Sequence, residues 1–258
     1  MKKFRLVLGM ALLILAAHFS QAQSQKKTQA VDSVALKEQK AKEKEAYDKW
    51  LKLDWPNLKR YGESNAKLGL PEANEKRVVF MGNSITDGWV RTSPGFFDGR
   101  PYIGRGIGGQ TTPQMLVRFR ADVINLKPKV VLILAGTNDI AGNSGPSTLE
   151  MIQDNLASMA DLATANGIKV IFCSILPAYD YPWKPGLKPY EKILVMNKWI
   201  QAYAAKKGYI YLDYYSPMVD SRPGLKAEYS SDGVHPNKLG YSIMEPLAEK
   251  AIAKALGK

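Results

Sequence analysis

The chain has 258 residues, 45% of them hydrophobic and 23% charged, the proportions of a globular protein of one large or two small domains rather than of a disordered or fibrous chain. One stretch near the N-terminus is apolar enough to consider for a membrane span, which excludes a polytopic membrane protein, and the single cysteine, Cys173, excludes an intramolecular disulfide scaffold. The formal net charge of +12 invites a nucleic-acid or anionic-surface partner.

Residues 1–22 read as a secretory signal peptide. Lys2, Lys3 and Arg5 form a positive start, Leu6 to Ala17 an apolar core, and Ser20-Gln21-Ala22 a small-residue cleavage site. A permanent anchor is the alternative, but the core falls short of the ~20 apolar residues of a comfortable span. Cleavage takes three cations from 36 and leaves 33 against 24 acidic residues, a net of +9. An exported, soluble chain, periplasmic or extracellular, argues against nucleic acid as partner and against stable membrane insertion. Cleavage also removes His18, so His235 is the one histidine of the mature chain. A zinc site of several histidines is thereby excluded.

Residues 23–35 read as a flexible tether, rich in Gln, Ser, Lys and Thr. Residues 36–76 read as a helical extension packed on the main domain. Tyr47, Trp50, Leu51, Leu58 and Tyr61 recur at roughly helical spacing, Glu38→Lys42, Glu45→Lys49 and Asp48→Lys52 are favourable i,i+4 pairs, and Pro56 kinks or ends the helix.

From 77 to 258 the pattern alternates. Apolar runs at Arg77–Met81, Val130–Leu134, Lys169–Ile175 and Tyr209–Asp213 read as buried strands, with a further short strand at Arg100–Gly104. Helices are predicted at Thr112–Leu126, Thr148–Asn166, Tyr190–Lys207 and Asn237–Leu256, two of them stopped by Gly167 and Gly208. This rhythm predicts an α/β fold: a three-layer α/β/α sandwich around a mainly parallel five-stranded sheet, with ligands at the carboxyl ends of the strands.

Chemistry-bearing residues cluster where that rule puts them. Ser84 follows the first strand in a tight strand-to-helix turn, a position that exposes a serine hydroxyl, although a lone serine there also serves as a helix cap. Gly104, Gly106 and Gly109 formally match a dinucleotide fingerprint, but no acidic residue ends a strand ~20 positions on. A tight turn or an anion-binding turn are the other readings. Asn138 can donate to an oxyanion or form a turn, and Asp139 reads as a cap. Asp232 lies three before His235, close enough to fix the imidazole tautomer and leave the far nitrogen free to accept a proton. Cys173 lies mid-strand and reads as core.

Together, Gly82-Asn83-Ser84-Ile85, Gly106-Ile107-Gly108-Gly109, Gly136-Thr137-Asn138-Asp139 and Asp232-Gly233-Val234-His235-Pro236 resemble, in order and spacing, the four blocks of the SGNH hydrolase superfamily, or GDSL-type esterases and lipases. The likeness runs over about residues 77–256. The chain departs from the family in having Asn83 where aspartate is usual. The resemblance implies a flavodoxin-like fold and a serine esterase with Ser84, Asp232 and His235 as catalytic residues. It implies an oxyanion hole of Ser84, Gly109 and Asn138, and neither metal nor organic cofactor. The segment Gly82–Trp89 also resembles the branch near platelet-activating-factor acetylhydrolase subunits and bacterial acetyl-esterases.

Loops select the substrate. Trp89, Tyr102, Tyr179 and Trp183 are candidates for pocket walls, since aromatic faces stack on sugars or grip acyl chains. The reading is an exported esterase acting on short, acetyl esters of carbohydrate, its partner a small-molecule or polysaccharide ester. A lysophospholipase, lipase or broad arylesterase is the alternative, and an inactive glycan- or envelope-binding module is the alternative of another class.

Overall fold

Five short apolar runs make the sheet of the computed structural model, which describes residues 36–257 apart from 47, 50 and 51. The expected signal peptide and tether lie outside the described residues. The strands are β1 (Val78–Gly82), β2 (Tyr102–Gly106), β3 (Val130–Leu134), β4 (Lys169–Cys173) and β5 (Ile210–Leu212). All pair in parallel, in the order β2-β1-β3-β4-β5. The chain leaves β1 for one edge and returns to its other side as β3. The topological switch therefore falls between β1 and β3, where α/β sheets open a crevice. Gly82 is level with Gly106 on one side and Leu134 on the other, so three loops leave the sheet at one height.

Strand alternation divides the core into two layers. Val79, Met81, Val131, Ile133, Val170 and Phe172 face one side and pack on Met115 and Phe119 of α3 (Thr112–Asp122), Ile152 and Leu156 of α4 (Leu149–Ala165), and Ile193 and Met196 of α5 (Tyr190–Lys207). Val78, Phe80, Val130, Leu132, Leu134 and Ile171 face the other, against Ile85 and Trp89 of α2 (Ser84–Thr92) and Tyr241 and Met244 of α6 (Lys238–Ala255). The three-layer α/β/α architecture is as the sequence reading has it. Cys173 is buried in the second layer, and burial pushes its thiol pKa well up, which leaves it inert.

Helix ends follow local chemistry. Thr148 Oγ1 accepts from Met151 N at the start of α4, Asn237 Oδ1 from Gly240 N at the start of α6, and Gly208, at φ +71°, closes α5. These are the N-cap and left-handed C-terminal positions that such residues favour.

The chain divides into two units at Trp55 and Pro56. In the first, residues 36–46 are helical and exposed. Helix α1 (Lys59–Leu68) belongs to the second unit, whose boundary lies earlier than the expected residue 77. The physical reason is polar: Asn65 Nδ2 donates to Ala121 O and the Asp122 carboxylate of α3, Arg105 Nε of β2 donates to Asn65 Oδ1, and the Tyr61 hydroxyl donates to Gly106 O. Among the described residues no helix is long and apolar enough to cross a membrane.

Candidate active site

At the end of β1 the backbone turns directly into α2. Asn83 is the N-cap, its Oδ1 accepting from Ile85 N at 3.1 Å, so the asparagine makes a cap bond that a carboxylate would also make. Ser84, the alternative cap, is instead the first helical residue. The turn is possible because β2 has glycine beside it. A Cβ on Gly106 would lie 2.1 Å from Asp87 N and 2.7 Å from Asn83 O, both backbone atoms. Gly106 is thus a close-packing residue at the end of β2.

Ser84 Oγ lies 2.8 Å from His235 Nε2, and His235 Nδ1 lies 2.7 Å from Asp232 Oδ2. A carboxylate accepts only, so Nδ1 carries the ring proton and Nε2 accepts from the serine. The loop bearing both residues is tied down: Asp232 Oδ1 accepts from the N–H groups of Val234 and His235 and from Ser230 Oγ, and Asn237 N donates to Tyr229 O. Partial burial raises the Asp232 pKa, but the bonds from His235 and Val234 outweigh it and hold the carboxyl at about 2. It is therefore ionised across the neutral range, and its charge favours an imidazolium when one forms.

The second loop passes beside the serine. Ile107 N donates to Gly82 O, and Gln110 N reaches back to Ile107 O at 3.4 Å. Gly109 holds φ +75° within that turn, where glycine is favoured. A Cβ on Gly108 would stand 3.9 Å from Ser84 Cβ. From the third loop comes Asn138, 3% exposed, on the one-turn helix Thr137–Ile140. Its Nδ2 donates to Gln110 O at 2.9 Å, and its Oδ1 accepts from Asn143 Nδ2 at 3.0 Å. One Nδ2 proton is thereby engaged and the second remains. Asp139 is a cap, but for a distant helix: its carboxylate accepts from Thr112 N and Thr112 Oγ1 at the start of α3. Burial pushes its pKa up to about 6, against the pull of those bonds.

The structure separates the four aromatic candidates. Trp183 is 40% exposed, stacked on Tyr181, with its ring 6.1 Å from that of His235. Tyr179, exposed to the same degree, stacks on Tyr190 with the Arg222 guanidinium over its ring. Trp89 and Tyr102 do not line the site. Trp89 is 2% exposed and lies between Phe96 and Tyr241 on the inner face of α2, because Ile85 and Trp89, four apart, share the face that meets the sheet. Tyr102 opens β2 at the amino-terminal end of the sheet, against Phe80 and Phe96, at the opposite end from Ser84.

Sequence reasoning missed the network beneath these loops. Arg118 is fully buried. Its guanidinium donates to Gln110 Oε1, the Asp122 carboxylate, Gly82 O and Arg105 O. The signal was available: Arg118 and Asp122 lie four apart on the same face of a helix as Met115 and Phe119, a charged pair amid apolar neighbours.

The GDSL-like Lipase/Acylhydrolase family matches residues 80–243, from β1 into α6. The chain belongs to the GDSL-like lipase/acylhydrolase family. Among solved structures, this family member resembles a candidate acylhydrolase of Bacteroides fragilis, at 53% identity and a TM-score of 0.77, over 79% of this chain and 99% of that one. It resembles a GDSL-like lipase of Bacteroides thetaiotaomicron to the same extent, at 52% identity and a TM-score of 0.76, over 78% and 98% of the two chains. An acetylxylan esterase of Xylanibacter ruminicola is 26% identical over 238 residues, 79% of this chain and 48% of that protein. The GDSL-family chain spans less than half the length of the first curated relatives it matches.

Proposed function

We propose that the protein is a serine esterase that removes short acyl groups, acetyl above all, from carbohydrate. The observation that carries the reading is the hydrogen-bonded line from Ser84 Oγ through His235 to Asp232, set at the switch point of the sheet, with the Asn138 amide bonded to Gln110 O of the loop that follows β2.

In the proposed reaction Ser84 Oγ attacks the ester carbonyl carbon and its proton passes to His235 Nε2. Asp232 keeps the ring oriented and stabilises its charge. The carbonyl oxygen becomes an oxyanion, held by the N–H groups of Ser84 and Gly109 and by the remaining Nδ2 proton of Asn138. The amino end of α2 adds a favourable dipole. Collapse breaks the bond to the alcohol oxygen, which takes the proton from His235. Water then repeats the sequence on the acyl-enzyme, releases the carboxylic acid and restores Ser84.

Two features support the choice of substrate. The exposed Trp183 indole lies beside His235, where the alcohol half departs, and such faces suit sugar rings. A relative over most of this chain is an acetylxylan esterase. Residues 1–22, read as a signal peptide, support action outside the cytoplasm.

The test is hydrolysis of p-nitrophenyl esters from acetate to palmitate, with Ser84→Ala as the blank, followed by acetylated xylo-oligosaccharide. A steep preference for acetate is expected. A maximum at long chains would replace this reading with a lipase or lysophospholipase, and no serine-dependent rate on any ester would leave a binding module.

A further inference from the structure

Three hydrogen bonds in series join the surface to the proposed oxyanion site. Trp183 Nε1 donates to Asn143 Oδ1 at 3.2 Å, Asn143 Nδ2 donates to Asn138 Oδ1 at 3.0 Å, and Asn138 Nδ2 donates to Gln110 O at 2.9 Å. The two ends of this series fix its direction. An indole N–H only donates and a backbone carbonyl only accepts. Each carboxamide between them can satisfy both neighbours in one orientation alone. Asn143 must turn its oxygen to Trp183 and so its NH₂ to Asn138, and Asn138 must then turn its NH₂ inward. The backbone adds a fourth tie, Asn143 N to Asn138 O at 3.0 Å.

We infer that Asn143 is a positioning residue that holds the Asn138 carboxamide with its NH₂ toward the reacting carbonyl, and that Trp183 sets the orientation of Asn143. The inference rests on the proposed role of Asn138 and adds to it two residues outside the four sequence blocks. An amide flip exchanges oxygen for nitrogen at nearly no cost in shape. In Asn138 it would present a lone pair, rather than a proton, to a developing negative charge. The relay makes that flip unfavourable, because it would set Asn138 oxygen against Gln110 oxygen and Asn138 nitrogen against Asn143 nitrogen. Trp183 is also the aromatic residue beside His235, so the surface that meets the departing alcohol is mechanically joined to the group that stabilises the oxyanion.

Asn143 and the Trp183 indole N–H are solvent-exposed. The Trp183–Asn143 bond therefore adds little to stability, whereas loss of the Asn143–Asn138 bond deprives the buried Asn138 oxygen of its donor and also costs stability; the loss of either should appear in turnover. The experiment is kinetics on p-nitrophenyl acetate for Asn143→Ala, Asn143→Asp, Trp183→Phe, Asn138→Ala and the double variant Asn138→Ala/Asn143→Ala. It is paired with NMR of the Asn138 side-chain NH₂ group in the unliganded protein.

Asn143→Ala is expected to lower kcat by about 10- to 100-fold, the scale of a misplaced catalytic contact, with KM within about twofold. Asn143→Asp, nearly the same shape but unable to donate, should be at least as slow as Asn143→Ala; mere packing would make it the milder change. Trp183→Phe keeps a ring and loses the N–H, and should lower kcat less than Asn143→Ala. In the Asn138→Ala background, Asn143→Ala should cost nothing further, since the group it orients is gone. The Asn138 NH₂ protons should lose their protection from exchange in both Asn143 variants.

Full turnover in Asn143→Ala, an equal loss with and without Asn138, or unchanged Asn138 NH₂ signals would each overturn the relay. A wild-type protein without Ser84-dependent turnover would instead overturn the proposed function, and the NH₂ signals would still decide the relay.

Discussion

His235 Nε2 stands 2.8 Å from Ser84 Oγ while His235 Nδ1 is held 2.7 Å from Asp232, so one ring joins a helix start to a loop 151 residues further along the chain. This sharing predicts that neither partner works alone. Ser84→Ala and His235→Ala should each lower kcat on p-nitrophenyl acetate by on the order of 10⁴. Ser84→Ala should fold normally, because Asn83 and not Ser84 supplies the cap of α2. Folded Ser84→Ala protein with full activity would sink the assignment.

Asn138 predicts a smaller loss. Its carboxamide is one of three proposed donors, so Asn138→Ala should cost on the order of 10²–10³ in kcat with KM little changed. Because Asn138 also ties Gln110 O to the Thr137–Ile140 turn, the variant should lose roughly 1–2 kcal/mol of stability in urea. A loss confined to KM would assign Asn138 to ground-state binding.

Two carboxyls give opposite pH signatures. Asp232, held at about 2 by its bonds to His235 and Val234, lies below its unfolded value. Its contribution to stability is present above pH ~4 and fades as pH falls toward 2. Asp139, pushed up to about 6 by burial, lies above its unfolded value. The stability linked to its proton is present below pH ~4 and is lost as pH rises through 6. An Asp139→Asn side chain cannot titrate, so the urea midpoint of this variant should lose the part of the slope between about pH 4 and 6 that the wild type owes to Asp139. An identical slope in both proteins would place the titration elsewhere.

How much could be read beforehand depended on how locally each feature is encoded. The runs Val130–Leu134 and Tyr190–Gly208 carry their own start and stop signals and form the expected elements. The edge strand β2 runs two residues later than its expected start and end, because it mixes two glycines with Arg105, whose partner Asn65 lies in α1. The residues around Ser84, Asn138 and His235 were legible because each follows a strand or precedes a helix with a distinct side-chain chemistry. Trp89 and Trp183 look alike in sequence; which faces the core depends on the helical face in one case and loop geometry in the other. Arg118 shows only its pairing with Asp122 in the sequence, since its bond to Gly82 O spans 36 residues, and Asn143 takes its orientation from Trp183, 40 residues further on.

Arg118 makes the strongest stability prediction. Its buried guanidinium ties together the end of β1 at Gly82 O, the end of β2 at Arg105 O, the Gln110 side chain and the Asp122 carboxylate. Methionine at that position (Arg118→Met) keeps much of the volume and removes all four donors. It leaves Asp122, itself 1% exposed, without its ion-pair partner; the Asn65 amide is neutral, and the Arg105 guanidinium balances the buried carboxylate only in part. Breaking a buried pair in this way costs about 3–5 kcal/mol, a large share of the stability of a domain. Removing both charges together (Arg118→Met/Asp122→Leu) should recover part of that loss, since the unpaired carboxylate is gone. It should not recover all, because Arg105 O and the Gln110 side chain still lack the Arg118 donor and Gly82 O is left with Ile107 N. Urea unfolding of the two variants separates the terms. If the double variant is as unstable as the single one, the carbonyl bonds dominate; if it matches the wild type, the charge pair alone accounts for Arg118.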